Sequence, residues 1–133
     1  MGDHKKTTIL RAFNTHFFEF VDDLIRIFPE KEDIAVARST FEWFKKANPT
    51  SILKAWHFFV YEPYKEVIHQ GDITFFFHKD YAQDLTYLKN SNEIIKIIDT
   101  LREPVSKMNA ENQAHSMKYM QNLSKLADAY TNI

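Results

Sequence analysis

From Thr7 onward the chain alternates apolar and polar positions with a helical period. Ile9, Phe13, Phe17, Phe20, Leu24 and Ile27 recur at steps of three and four, which predicts one apolar face on a first helix. Thr7 or Thr8 suits its N-cap, and Pro29 pushes the residue before it out of helical angles. Ile34, Ala37, Phe41 and Phe44 make the stripe of a second helix over 31–47, with Glu32 and Asp33 at its start and Lys45 and Lys46 at its end, as the helix dipole favours. Asn48-Pro49 stops it. A third helix starts near Thr50-Ser51 with Ile52, Leu53, Trp56, Phe59 and Val60; Pro63 either kinks it or opens a new helix, and Gly71 suits a C-terminal cap.

Beyond Gly71 the punctuation is denser. Asp72 predicts the cap of a short helix over 73–77, in competition with a strand reading, because β-branched and aromatic residues cluster there. Asp80 suits the cap of a further turn to Leu88, and Ser91 that of a helix through Ile94, Ile98 and Leu101, which Pro104 kinks or ends. Asn109 opens the last helix, with Met117, Met120, Leu123, Ala127 and Tyr130 on one stripe. The expected fold is all-α: about six helices, some interrupted by proline, in one domain over 7–133, with 1–6 as a disordered N-terminus. Eighteen of the twenty aromatic residues precede residue 89, which predicts an aromatic core over 7–88 and a leaner helical layer over 89–133.

Composition changes the picture mainly by exclusion. The 133 residues suit one domain. No cysteine is present, so disulfides, Cys-ligated metals and Cys nucleophiles are excluded. The two glycines, Gly2 and Gly71, cannot build a glycine-rich phosphate loop. A formal net charge of −1 provides no overall basic excess for a polyanion. No charge-free run exceeds seven residues, too short for a membrane span or the apolar part of a secretory signal of usual length.

Four constellations can be weighed for chemistry. Glu66 and His69 form a Glu-x-x-His step, but the second copy that a dimetal bundle needs is missing. His16, Glu19 and Asp23 share a helix face at i, i+3 and i+7, where a carboxylate could orient an imidazole, yet no nucleophile accompanies them. Six acids fall within residues 19–33 without the alternating spacing and glycine of a calcium loop. The helix pair around Pro49, flanked by Lys45, Lys46 and Lys54, has a helix–turn–helix outline but offers Trp56, His57, Phe58 and Tyr61 in place of base-reading side chains. Phe75, Phe76 and Phe77 point elsewhere: three successive helical residues sweep about 200° of surface, wider than one core face, so either the segment is buried on several sides or one of them faces outward to dock a partner, the candidate contact expected here. The pairs Phe17-Phe18 and Phe58-Phe59 pose the same question.

Phe13-Asn14-x-His16-Phe17-x-Glu19-Phe20-x-Asp22-Asp23, Ile27-Phe28-Pro29 and Lys46-Ala47-Asn48-Pro49 resemble segments of small uncharacterised proteins of large DNA viruses, including those that infect algae. Gly71-Asp72-Ile73-x-Phe75-Phe76, Lys79-Asp80-Tyr81 and Met117-Lys118-Tyr119-Met120-Gln121-Asn122-Leu123 fit the same resemblance, which runs from Phe13 to Tyr130. It implies a viral origin and carries no activity. The sequence expectation is a non-enzymatic structural or adaptor protein, a virion component among the candidates. It would act on another protein or a second copy of itself inside the cell or particle, neither secreted nor membrane-bound, without cofactor, metal or small-molecule substrate. A nucleic-acid-associated regulator built on the Pro49 helix pair is the alternative, and an enzyme with a carboxylate–histidine site comes third.

Overall fold

The structure, a computed structural model, describes residues 2–74 and 100–133. These are helices joined by tight turns, with no strand among the described residues, the all-α architecture expected from the periodicity. The first helix, α1, spans Gly2–Ile27, so residues predicted to be disordered begin the helix. The threonines thought to cap it lie inside: Thr8 Oγ1 donates to the His4 carbonyl at 3.0 Å. What holds this polar turn is a distant partner, the ring of Tyr130, over which the Lys6 ammonium sits at 5.1 Å.

Helix α2 spans Glu32–Ala47 and buries Ile34, Ala37, Phe41 and Phe44, the predicted stripe. Asn48 makes the following turn with its own side chain, whose Oδ1 accepts from the Thr50 N–H at 3.1 Å. Asn14 of α1 braces the turn from below, donating to the Pro49 carbonyl at 3.0 Å. The chain then stays helical from Ser51 to Gln70 in three pieces: α3 (Ser51–Ala55), a π-helix (Trp56–Tyr61) and α4 (Glu62–Gln70). Pro63 explains the middle piece. It has no N–H to give to the carbonyl four residues back, and its ring crowds that carbonyl, so an α-helix cannot run through undisturbed. The turn before it widens instead, and the Glu62 N–H reaches the His57 carbonyl, five residues back. A kink follows at Tyr64 (φ −125°, ψ 20°). Gly71 closes α4 in the left-handed region at φ 79°, with the Asp72 N–H bonded to the Val67 carbonyl and the Gly71 N–H to the Ile68 carbonyl.

Residues 100–106, here α5, are helical straight through Pro104, which neither ends the helix nor faces solvent. Asn109 caps α6 (Ala110–Thr131) as predicted, its side chain accepting from the Asn112 N–H at 2.8 Å. Helix α6 runs antiparallel to α1: Tyr130 meets Lys6 at one end, and Tyr119 packs on Phe20 with ring centroids 5.3 Å apart further along. Met117, Met120, Leu123 and Ala127 bury the predicted stripe against Phe13, Phe20, Val21 and Leu24 in one continuous core. The layer poor in aromatics thus supplies fully buried side chains, Met120 and Leu123 among them.

Candidate functional site

The face weighed for acid–base chemistry gathers its side chains in another arrangement. His16 Nδ1 lies 3.8 Å from Glu19 Oε2, and its ring packs on that of Tyr119 of α6, with centroids 4.6 Å apart and planes tilted by 39°. Asp23 has other partners: it accepts from the Tyr119 hydroxyl at 3.0 Å and pairs with Arg26 at 3.3 Å. Burial, and next the bond to Asp23, push the Tyr119 phenol up to about 12, so it stays a protonated donor. A cleft of about 210 Å³ beside it is lined by Asp23, Arg26, His115 and Tyr119 among others. Asp23 and Tyr119 satisfy each other, and Ser116, which also lines the cleft, is buried and donates its hydroxyl to Met108 Sδ at 3.3 Å.

Glu66 and His69 are both exposed, and His69 Nε2 faces the Tyr61 hydroxyl at 3.2 Å rather than a carboxylate of a second metal-binding half. The acidic stretch is partly tied down, since Arg38 bonds Asp22 at 2.6 Å and Glu42 at 2.9 Å, and these two bonds hold its guanidinium above the usual range. Of the lysines in the helix–turn–helix outline, Lys45 lies 5.2 Å from the Phe18 ring centroid, while Lys46 and Lys54 are exposed. Phe75, Phe76 and Phe77 lie outside the described residues, as do the turns expected at Asp80 and Ser91. The Asp72 carboxylate accepts from the Thr74 hydroxyl at 2.5 Å and from the Thr74 N–H at 3.0 Å, and these two bonds keep it below the usual carboxylate range, while most of the helix it was expected to cap lies outside the described residues.

Of the other aromatic pairs, Phe17-Phe18 can be placed in full and Phe58-Phe59 only in part, since the Phe59 side chain lies outside what is described. Phe17 and Phe18 are both buried, with Arg38 and Lys45 lying over the Phe18 ring. Phe58 is 56% exposed. Val36 and Trp43 on α2 are 65% and 61% exposed and lie seven residues apart, on one line of the helix facing away from its buried stripe. The phase of that stripe already implies this, because Trp43 stands about 200° round the helix from Phe41.

Sequence reasoning missed one cluster altogether. His57 of the π-helix is 5% exposed, and its Nε2 lies 3.2 Å from Glu62 Oε1. Asp128 of α6 joins them, and one ligand-type atom from each of the three residues falls within 4.8 Å of the others. Burial, then the charges of Asp128 and Glu62, raise the neighbouring Tyr61 phenol. One turn away along α6, Trp56 Nε1 donates to the buried Ser124 Oγ at 2.9 Å. No protein-family model matches the chain, and no curated protein or solved structure matches it.

Proposed function

We propose that the protein works by protein–protein contact, as a structural or adaptor element without chemistry of its own, and that the outer face of α2 is its contact surface. The observation that carries this reading is the exposed line Val36–Trp43. The other tryptophan, Trp56, is buried and hydrogen-bonded, whereas Trp43 gives most of its surface to water. Tryptophan is enriched at the centres of interfaces, where a large rigid side chain fills a partner pocket. The resemblance to small proteins of large DNA viruses makes a virion component the first setting in which to look.

A photo-crosslinking residue placed singly at 36, 43 and, as a control on another side of the same helix, at the exposed position 45 tests this. Discrete adducts at 36 and 43, absent at 45 and lost on adding a charge beside them (Thr40→Asp), are expected. Smears or no adduct at both positions would remove the reading. An adduct with a second copy of the chain identifies self-assembly, and one with a different protein identifies the partner.

A further inference from the structure

Two carboxylates converge on one buried imidazole where the π-helix meets the end of α6. A neutral imidazole can donate through a single nitrogen, so it can satisfy one carboxylate and leave the other. Even a protonated ring would leave the trio with a net negative charge. Lys65 answers Glu62 only loosely, with its Nζ 3.9 Å from Oε2. The ring's other nitrogen, Nδ1, is buried without a hydrogen-bond partner, so any compensation for burying His57 must come on the Nε2 side.

The backbone shows how this arrangement arises. In an α-helix, residues five apart point about 140° away from each other and cannot share a ligand. Here the Glu62 N–H closes a π-turn onto the His57 carbonyl, and the two side chains meet on the same side. Single π-turns are found disproportionately at functional sites. Asp128 is steadied from behind by Asn132, whose Nδ2 donates to Asp128 Oδ1 at 3.1 Å. The spacing also fits: bonds of about 2.0–2.2 Å from a metal to nitrogen and oxygen place neighbouring donors slightly over 3 Å apart, as His57 and Glu62 are.

We infer that His57, Glu62 and Asp128 form a binding site for a first-row divalent cation of the zinc or cobalt kind. One imidazole with two carboxylates favours such an ion over magnesium or calcium, which take oxygen alone. Three protein donors leave at least one position for water or a further group. Bound there, the cation neutralises both carboxylates and ties the π-helix to the last turns of α6. The site lies apart from the α2 face, and neither reading depends on the other.

The test uses the full chain, treated with chelator and then titrated with cobalt(II) chloride alone, followed by visible absorption and calorimetry. One equivalent of cobalt is expected to bind, to give a low-symmetry d–d spectrum, to be displaced by zinc chloride and to raise the thermal midpoint. Glu62→Gln and Asp128→Asn sit at exposed and half-buried positions, so they keep the fold and are expected to weaken binding by at least about tenfold each. His57→Gln adds the third ligand where circular dichroism shows it folded. Glu66→Gln, also exposed on α4, is expected to bind as the parent does. Failure of the parent chain to bind cobalt or zinc overturns the inference, and so does binding that Glu62→Gln and Asp128→Asn leave unchanged.

Discussion

Single residues divide here between those the pattern placed and those only the structure can place. Trp56 and Trp43 are the same side chain with opposite tasks. Ser124 accepts the Trp56 indole N–H in a site closed to water, so Ser124→Ala is expected to strand that donor and cost about 1–3 kcal/mol, read from urea unfolding. Tyr119 makes a second case. Its pKa is about 12 in the folded chain against 10.0 for a free phenol, so the unfolded chain loses this proton first. Its contribution to stability is intact below pH 10 and is lost as pH rises from 10 towards about 12. Ultraviolet titration is expected to show Tyr61 and Tyr119 ionising late, and Asp23→Asn is expected to bring Tyr119 earlier. Nothing in the sequence joins Asp23 to Tyr119, because their meeting depends on how α1 and α6 lie together.

Elements were legible wherever period and cap agreed. The stripes of α2 and α6 and the Asn109 cap could be read directly, since local propensity and burial point the same way there. The start of α1 could not, because its first turns carry polar residues and one of its anchors is a ring more than a hundred residues away. Pro63 announced a disturbance without specifying its form. A π-turn keeps the helix going at the cost of one residue of register, and that shift brings His57 to Glu62. Pro63→Ala restores the missing donor and is expected to return this stretch to α-helix and separate the two side chains, as nuclear Overhauser contacts between them would report. Gly71 tests the other end of α4. A Cβ there would meet Gln121 Nε2 at an ordinary 3.6 Å, so only the left-handed backbone opposes it. Gly71→Ala is expected to lower stability by about 1–2 kcal/mol in urea unfolding, with no change in packing.

At the scale of the molecule, the sequence supported the class of fold and left the candidate site unread. His57 and Glu62 stand five apart, a spacing that no helix face predicts, and Asp128 enters from a helix distant in the chain. Charge balance was legible and has a consequence: with a net −1 and Lys45 drawn over Phe18, the chain is expected to pass through DNA and RNA columns at physiological salt. Tight, salt-sensitive retention lost on replacing Lys45, Lys46 and Lys54 would reverse that view. The antiparallel pairing of α1 with α6 bears on how the protein responds to load. Lys6 and Tyr130 sit at the same end of that pair, so tension between the two ends of the chain acts on the first contact alone. The pair then opens turn by turn, as a zip does, whereas a pull along opposite ends would have to shear the whole core at once. Force applied between the start of α1 and the end of α6 is therefore expected to separate the pair more readily than force applied across it.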